Sequence, residues 1–435
     1  MTIQPRNIVF ITHYFPPLNS SGAKRVEALS GLLADLGHNV SVITPRKHAG
    51  EGDFTEQFPS GVNVVEVDHF GKIASTKVET RTSNANQEHK KPSLVQRYKR
   101  QVRQVFGQIP DHRLPFAVSI ASLWASTKIK NTLSEADVVI GSTPPWPSIL
   151  ATIIIKRRYK TLAILDYRDN FGDCYGQPGS RAAHWFEKVI DNWIARRADH
   201  LVTISQPMKE YYSQANENCS VILNGYDARQ IEKASKSANI IADGKIRIRH
   251  MGHVSKGRIP TNFLDALRKF NSQFPEKAAR LRFEYFGTAE LLREKLQSDY
   301  SELQHLFFFN APVRYLDSLK LMVEADYLIF SETSSTETLS AQSILTTKLF
   351  EYIGAERPII ADISPNTLAG SMLQKNSPRN VVGLDEQQFL TTLENDTFWT
   401  RPNNVPPNED LKVTRQVQAK QYSDLIERLL TKSPQ

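Results

Sequence analysis

The sequence predicts an α/β protein with two domains, each built on a doubly wound parallel sheet. Its 435 residues exceed what one hydrophobic core usually organises. Short apolar runs rich in β-branched residues, typical of buried parallel strands, alternate with segments in which apolar residues recur every three or four positions. Such alternation indicates a chain that passes repeatedly from a parallel strand to a helix and back.

The first domain opens with a strand, a loop, a helix and a second strand. Residues 7–12 form an apolar run that ends before His13, and the apolar spacing over residues 22–36 predicts a helix. Gly37 ends that helix, and residues 39–44 predict the next strand. Further strands of this domain are predicted over residues 62–67, 136–141, 161–166 and 200–204.

A second series of strands and helices begins near residue 246. Its strands are predicted over residues 246–251, 281–286, 306–309, 327–330 and 358–361. Its helices are predicted over residues 262–274, 289–300, 315–324 and 347–353. A polar stretch over residues 227–245 is predicted to link the two series, and the Pro- and Asn-rich stretch 395–410 precedes an amphipathic helix over 411–430.

These patterns divide the chain into three parts. Residues 1–226 are predicted to form the first domain, with a polar, basic insertion at about 72–115 where the alternation fails. Residues 227–410 form the second domain, and residues 411–435 carry the terminal helix.

The composition excludes several classes of protein. Cys174 and Cys219 are too few to staple a chain of this size and lie in no metal-ligand spacing. The apolar run at residues 7–12 is too short for a signal peptide, and no run approaches the roughly 20 apolar residues of a spanning helix. No Asp-x-Asp signature is present. We therefore expect a cytoplasmic protein that requires no metal or other cofactor.

The formal net charge of +8 favours anionic partners. Six basic residues crowd the segment 90–103, namely Lys90, Lys91, Arg97, Lys99, Arg100 and Arg103. This segment is either a solvated helix face or a contact with an anionic membrane surface or acceptor. Only Tyr98 and Phe106 add aromatic rings to it, so a nucleic-acid partner is not expected.

Six segments resemble, in order, glycosyltransferase family 4 and its relatives with the GT-B fold. They cover residues 13–44 (beginning HYFPPLNSSGAKR), 136–151, 165–173, 198–205 with 221–227, 250–267 and 346–361. Residues 136–151 and 165–173 are similar to a polysaccharide-building branch, in which Phe171 replaces the usual Trp.

The resemblance implies a fold and an activity. It implies two Rossmann-like domains facing across a cleft, with the terminal helix crossing back to pack on the first domain. It also implies transfer of a sugar from a nucleotide-diphosphate donor to a saccharide or lipid-linked saccharide acceptor, with retention, in surface polysaccharide biosynthesis. Capsule, lipopolysaccharide and exopolysaccharide pathways all remain open. A protein of this kind works in the cytoplasm, with peripheral contact to the inner face of the cell membrane.

Candidate donor-binding residues of the first domain lie at a helix start. Gly22 lets a phosphate or sugar approach the backbone, and backbone N–H groups there favour anions. Lys24 and Arg25 occupy the first helical turn, which is unfavourable for cations unless an anion is present. The alternative is that Gly22 serves only a tight turn and that both cations are solvated.

Candidate donor-binding residues of the second domain lie in two of the matching segments. Gly252 follows a strand, and Lys256 and Arg258 offer charge-assisted hydrogen bonds to a diphosphate, with Arg258 the preferred candidate. The alternative is an ordinary basic loop. The resemblance assigns Glu351 to the ribose hydroxyls, and Thr347 and Lys348, one turn earlier, are candidates for a phosphate contact.

Two departures from the family concern catalysis. Many relatives carry a catalytic His where Arg168 and Asp169 stand here; Asp169 is a candidate to activate the acceptor hydroxyl and Arg168 to hold an anion. The alternative is a buried structural Arg–Asp pair. His13 is a further candidate for substrate contact.

The second departure is Ser343, which replaces the first Glu of the family's Glu-x7-Glu motif. Its imperfect substitutes are Glu332, Glu337 and Gln342. A sugar-nucleotide epimerase of the same fold and a catalytically silent nucleotide-sugar-binding subunit therefore remain alternatives to a transferase.

Overall fold

The protein is described by a computed structural model. The described residues are 4–47, 57–68, 105–109, 111–122, 125–172, 179–333, 339–400, 402, 404–408 and 413–432. The basic segment 90–103 lies outside them, so its predicted membrane or acceptor contact stays a prediction. Within the described ranges, no helix is both long enough and apolar enough to cross a membrane.

The chain forms two compact units. Unit 1 comprises Met1–Leu223, Thr338–Ser343 and Arg415–Gln435, and unit 2 comprises Asn224–Glu337 and Ile344–Thr414. The first exchange between the units falls after Leu223, three residues before the boundary predicted from the sequence. Ser343, which replaces the family's first Glu, is buried and belongs to unit 1.

Each unit contains one parallel sheet. Among the described residues, the strand order is β3-β2-β1-β4-β5-β6-β7 in unit 1 and β10-β9-β8-β11-β12-β13 in unit 2. The strands of unit 1 are β1 (Asn7–Ile11), β2 (Asn39–Pro45), β3 (Val62–Val67), β4 (Val138–Thr143), β5 (Leu162–Tyr167), β6 (His200–Thr203) and β7 (Cys219–Val221). Those of unit 2 are β8 (Ile246–Met251), β9 (Leu281–Phe286), β10 (Phe307–Asn310), β11 (Tyr327–Ser331), β12 (Ile359–Asp362) and β13 (Val381–Gly383).

Helices alternate with these strands. The first half of the chain carries α1 (Ser21–Asp35), α2 (Leu114–Ala121), α3 (Thr127–Ser134), α4 (Trp146–Tyr159), α5 (Arg181–Ala195), α6 (Gln206–Ser213) and α7 (Ala228–Lys236). The second half carries α8 (Thr261–Gln273), α9 (Pro275–Ala278), α10 (Glu290–Asp299), α11 (Tyr315–Glu324), α12 (Leu339–Gln342), α13 (Thr347–Gly354), α14 (Leu368–Asn376), α15 (Glu386–Glu394) and α16 (Arg415–Lys432). The predicted α/β class with two doubly wound sheets is confirmed.

Strand β8 shows how a sequence with two arginines becomes a central strand. All six of its residues are buried, and Ile248 packs into the core of unit 2. Arg247 pairs with Asp243 at 2.6 Å, and Arg249 pairs with Glu284 on β9 at 2.7 Å. Paired guanidinium groups are compatible with burial, so the alternation of Ile and Arg still forms a strand.

The terminal helix α16 completes the core of unit 1. Its Ala419, Tyr422, Leu425 and Ile426 pack against residues of β1, β2 and α1. The sequence predicts an apolar stripe of Val413, Val417, Leu425 and Leu429 on this helix. Leu425 and Leu429 do contact the core, whereas Val417 is 45% exposed. Ala419 and Tyr422 add contacts that a stripe of aliphatic residues does not reveal.

Two features of the fold differ from the sequence-based expectation. The predicted linker 227–245 contains helix α7, whose first turn is capped by Asp227 accepting from Arg229 N–H at 3.0 Å. Strands β7 and β13 were not predicted, because three residues are too few to show a periodic pattern.

Candidate active site

Both sheets reverse their strand order beside the first strand of the unit. In unit 1 the reversal lies between β1 and β4, and in unit 2 it lies between β8 and β11. Loops leaving the carboxyl ends of two such strands run to opposite faces of the sheet, and the crevice between them is where open α/β sheets bind ligands. The predicted site residues lie either at the carboxyl ends of β1 and β4 or at the carboxyl ends of β8 and β11. The second of these places is called the β8–β11 edge below.

In unit 2, glycines let two loops approach closely beyond β8. Gly252 has a φ of +93°, in the left-handed region that favours glycine. A Cβ atom on Gly287 would lie only 2.4 Å from Gly252 O, and one on Gly252 would lie 3.7 Å from Lys348 Cε. The backbone at Gly252 therefore runs directly beside the Lys348 side chain.

Lys348, in the first turn of α13, is held by His250 at the end of β8. The Lys348 Nζ lies 3.0 Å from His250 Nε2, and His250 Nδ1 lies 3.2 Å from the carbonyl oxygen of Ile329. Burial and the charge of Lys348 hold the pKa of His250 well below its ordinary value, so the ring is neutral. Nδ1 must then donate to Ile329, which leaves Nε2 to accept from the lysine.

The positive charge on Lys348 is disfavoured by its surroundings. Burial and the nearby charge of Arg258 lower the pKa of Lys348 to about 8, although Glu332 and Glu351 act in the opposite direction. An anion beside the ammonium group would relieve this unfavourable charge.

Arg258 supplies a second cation at the same edge. Its Nε donates to Glu332 Oε1 at 2.7 Å, and its carbonyl oxygen accepts from the Ser331 hydroxyl at the end of β11. Within the part of the chain that the structure describes, only Nε of this guanidinium is hydrogen-bonded. Both terminal amino groups therefore remain available to an anion.

Helix α13 is anchored so that its first turn faces this edge. The Tyr352 hydroxyl accepts from Met251 N–H at 2.9 Å, which ties the helix to the end of β8. Thr346, the N-cap residue, makes no side-chain capping hydrogen bond, so the N–H groups that begin at Thr347 are not capped by it. Glu351 is buried one turn after Lys348, while Lys256 is exposed on the turn before Arg258. The ligand contacts predicted for these residues stay predictions.

In unit 1, the start of α1 is fixed by contacts within the chain. A Cβ atom on Gly22 would lie 3.3 Å from Tyr14 Cγ, so the close approach at this glycine involves Tyr14. The Gly22 carbonyl oxygen accepts from Arg168. This favours the tight-turn interpretation of Gly22, and its donor contact stays a prediction.

Arg168 is held by contacts within the chain, and its predicted contact with an anionic substrate stays a prediction. Besides Gly22, its guanidinium donates to Thr143 O at 3.2 Å through Nε and to Pro144 O at 2.9 Å. All three acceptors are backbone carbonyls of the chain itself, and the group is buried. Arg168 therefore ties the start of α1 to the end of β4.

Arg25 and Lys24 are likewise engaged within the chain, and their predicted phosphate contacts stay predictions. The buried Arg25 guanidinium donates to both carboxylate oxygens of Asp166 at 3.0–3.2 Å and to the carbonyl oxygens of Ile222 and Leu223. Lys24 is buried, with Nζ 3.2 Å from Glu27 Oε2. The structural Arg–Asp pair considered for residues 168 and 169 is thus formed by Arg25 and Asp166 instead.

Asp169 and His13 keep their predicted roles as predictions. Asp169 is exposed just beyond β5, whereas His13 is buried beyond β1 with its ring edge-on to Tyr14 at 5.3 Å. The segment carrying Asp169 is held by Asp191, which accepts from the hydroxyls of Tyr167 and Tyr212 at 2.9 and 2.8 Å and from Gly172 N–H at 3.0 Å.

Sequence reasoning missed His250, Tyr352, Asp166 and Asp191. Each acts through a partner distant in the sequence, so no local spacing marks it. Glu332 was considered only as a replacement for the family's first Glu, whereas the structure pairs it with Arg258. Among the described residues, no group of three or more His, Cys, Asp or Glu is placed to hold a metal ion.

Two parallel α/β units, each with a reversal of strand order beside its first strand, give the chain the architecture of the GT-B fold class. Residues 22–225 match the model of the glycosyl transferase 4-like domain. The predicted resemblance to family 4 is thereby confirmed.

Several known proteins are similar to this chain. An uncharacterised glycosyltransferase of Methanocaldococcus jannaschii is 21% identical over 313 residues, which cover 68% of this chain and 76% of that protein. Sucrose-phosphate synthase from Thermosynechococcus elongatus superposes with a TM-score of 0.61 at 15% identity, covering 99% of this chain and 100% of that one. Anabaena HepE in complex with UDP-glucose superposes with a TM-score of 0.53 at 14% identity and 98% coverage of both chains. These two structures show the shared fold.

Proposed function

We propose that the chain transfers a sugar from a nucleotide-diphosphate donor to a saccharide or lipid-linked saccharide acceptor, and that unit 2 binds the donor's diphosphate at Lys348 and Arg258. The observation that carries this proposal is the pair of cations at the β8–β11 edge. The lowered pKa of Lys348 means that its charge lacks a sufficient counter-ion in the unliganded protein. A diphosphate supplies the missing negative charge.

The residues around the two cations suit a departing nucleotide diphosphate. Breaking the glycosidic bond leaves negative charge on the terminal phosphate, and preorganised cations stabilise that charge as it develops. His250 and Glu332 hold Lys348 and Arg258 in place, and the backbone at Gly252 runs beside the Lys348 side chain. The solved structure of Anabaena HepE contains UDP-glucose, which supports a nucleotide sugar as the donor.

Further parts of the proposal rest on the resemblance described above. We assign Glu351 to the donor's ribose hydroxyls and Asp169 to the acceptor hydroxyl. We also propose retention of configuration at the transferred carbon, a pathway that builds surface polysaccharide, and peripheral contact with the inner face of the cell membrane. The exposed carboxylate of Asp169 and the net charge of +8 are compatible with these assignments.

The test is a titration of the full chain with nucleoside diphosphates, UDP and GDP first. Lys348→Met should weaken binding at least about tenfold, because a charge-assisted hydrogen bond contributes roughly 1.5–3 kcal/mol. Lys375→Met, an exposed lysine on α14, is the matched control and should bind as the wild type does. Equal affinity of the Lys348 variant and the wild type would remove the diphosphate from this edge.

A second assay separates transfer from epimerisation. The chain is incubated with labelled nucleotide sugars in the presence and absence of saccharide acceptors. Product that appears only with an acceptor supports transfer. An epimerised donor formed without any acceptor would replace the transferase proposal by the epimerase.

A further inference from the structure

Four large apolar side chains are exposed along one face of helix α5 in unit 1. Trp185 is 67% exposed, and Phe186, Val189 and Trp193 are each at least 40% exposed. Residues at these spacings lie on the same side of a helix. Single exposed apolar residues are ordinary on a protein surface, but a contiguous patch with two tryptophans is typical of an interaction site.

The patch continues beyond the helix. Val105 and Phe106 are both more than half exposed. The Val105 carbonyl oxygen accepts from Ser180 N–H at 3.3 Å and from the Ser180 hydroxyl at 2.8 Å. Because Ser180 is the N-cap residue of α5, Val105 and Phe106 lie beside the start of the helix.

Several positive charges lie around this aromatic face. Arg181, Lys188 and Arg196 are exposed along α5 and just beyond its end, and the guanidinium groups of Arg197 and Arg157 lie 4.0 and 5.8 Å from the centre of the Trp193 ring. The helix has two acidic residues, Glu187 and Asp191, and both are buried. They are engaged inside the unit, where Glu187 accepts from Gln108 N–H and Asp191 from two tyrosines.

We infer that this face of α5 docks unit 1 on an anionic membrane surface. Tryptophan side chains partition to the boundary between lipid headgroups and acyl chains, and basic residues beside them add roughly 1 kcal/mol each at a negatively charged surface. A helix with aromatic residues and cations on its exposed face, and its carboxylates turned inward, has the chemistry of an interfacial helix. The inference names the surface for the membrane contact in the proposed function. Only its biological purpose, which is to bring the enzyme to a membrane-bound acceptor, rests on that proposed function.

Vesicle sedimentation of the full chain tests the docking face. Vesicles of phosphatidylcholine with phosphatidylglycerol should bind the wild type, and vesicles of phosphatidylcholine alone should bind it weakly. Replacing two aromatic residues, Trp185→Ser with Phe186→Ser, should lower the partition coefficient about tenfold. Leu316→Ser in unit 2, a change at a residue that is 47% exposed, is the matched control and should have no effect.

A second pair of measurements guards against a folding artefact. Arg181→Glu with Lys188→Glu leaves the aromatic residues in place and should abolish the preference for phosphatidylglycerol. Brominated lipid should quench the fluorescence of the wild type through Trp185 and Trp193, and the quenching should fall in Trp185→Ser. Vesicle binding that survives both double variants, or binding without quenching, would overturn the assignment of this face.

Two further readouts separate the alternatives. If the wild type ignores vesicles but forms a dimer that the Trp185 and Phe186 changes dissociate, the face is a contact between two copies and the inference is wrong. Nucleotide titration of the two α5 double variants should give wild-type affinity, because their substitutions lie in unit 1. Failure of nucleotide binding in all proteins would count against the proposed function and leave the docking result standing.

Discussion

At the scale of single residues, the most informative group is Lys348. Its neighbours serve different purposes: His250 orients the ammonium group, while Arg258 and burial disfavour its charge. A structural lysine would normally pair with a carboxylate at close range. Lys348 instead donates to the neutral ring of His250, so its charge can be balanced by an anionic ligand.

Proton uptake on nucleotide binding follows from this arrangement. Near pH 8.5 the free protein has Lys348 mostly neutral, since its pKa is about 8, and a bound diphosphate raises that pKa. Lys348 should therefore take up at most about three-quarters of a proton on binding near pH 8.5 and almost none near pH 6.5, where the group is already charged. Calorimetric titrations in buffers of different ionisation enthalpy measure the uptake. Lys348→Arg, which stays charged, should show no proton uptake at either pH. Uptake that persists in this variant would show that another group takes up the proton.

Arg25 has a structural role that a stability measurement can reveal. Arg25→Ala should lower the free energy of unfolding by about 3 kcal/mol, because it leaves the buried Asp166 carboxylate without its cation. Chemical denaturation followed by tryptophan fluorescence measures the change. Lys236→Ala, in an exposed pair with Glu232, should leave stability unchanged within error. A loss from Arg25→Ala no larger than that of the control would contradict the structural role.

At the scale of elements, helix α13 carries the residues proposed for both the phosphate and the ribose of the nucleotide. Its first turn presents Thr347 and Lys348, its second turn carries Glu351, and Tyr352 fixes it to β8. Residues three or four positions apart share a helix face, so one anchored helix can address phosphate and ribose together.

Glu351→Gln tests the ribose assignment. The amide keeps the size of the side chain but loses the ionised acceptor, so we expect UDP affinity to fall about tenfold while the affinity for inorganic diphosphate stays constant. Isothermal titration with both ligands measures the contrast. Glu394→Gln, an exposed residue on α15, is the control. Wild-type UDP affinity in Glu351→Gln would remove this residue from the site.

The terminal helix α16 contributes a large share of the core of unit 1. It buries Tyr422, Leu425 and Ile426, and its Glu427 pairs with Arg6 at 2.7 Å. Ending the chain after residue 414 should therefore unfold unit 1 and make it sensitive to proteolysis. Ending it after residue 432 should change nothing. A protease-resistant unit 1 in the shorter chain would contradict the packing role of this helix.

At the scale of the whole molecule, the two units have separate hydrophobic cores but share one chain that passes between them more than once. Unit 1 holds Asp169, which is proposed for the acceptor hydroxyl, whereas unit 2 holds the two cations proposed for the donor. The stability of each unit should therefore respond differently to a nucleotide.

Differential scanning calorimetry of the full chain tests this division. A nucleoside diphosphate at about one hundred times its dissociation constant should stabilise the unit that binds it by about 2.7 kcal/mol. We expect the ligand to raise the melting temperature of the transition of unit 2, identified by its loss in a destabilised Phe263→Ala variant. A shift confined to the transition of unit 1 would place the donor in the other unit.

The sequence alone was sufficient to predict the α/β class, most strands of both sheets, helices α1 and α13, and the presence of Gly252, Arg258 and Lys348 in the segments that form the β8–β11 edge. Local patterns predict these features: apolar periodicity, a glycine after a strand, and cations within one turn. Local patterns are visible because neighbours in sequence remain neighbours in the fold.

Only the tertiary structure decided which charged groups are committed to the fold. Arg25 reaches Asp166 across 141 positions, and Tyr422 reaches the same carboxylate across 256. Lys348 meets His250 across 98 positions. The exposed aromatic face of α5 likewise became evident only when Glu187 and Asp191 were found buried on its other side. The energy of a buried charge depends on the partners that folding brings to it, and sequence spacing carries no record of those partners.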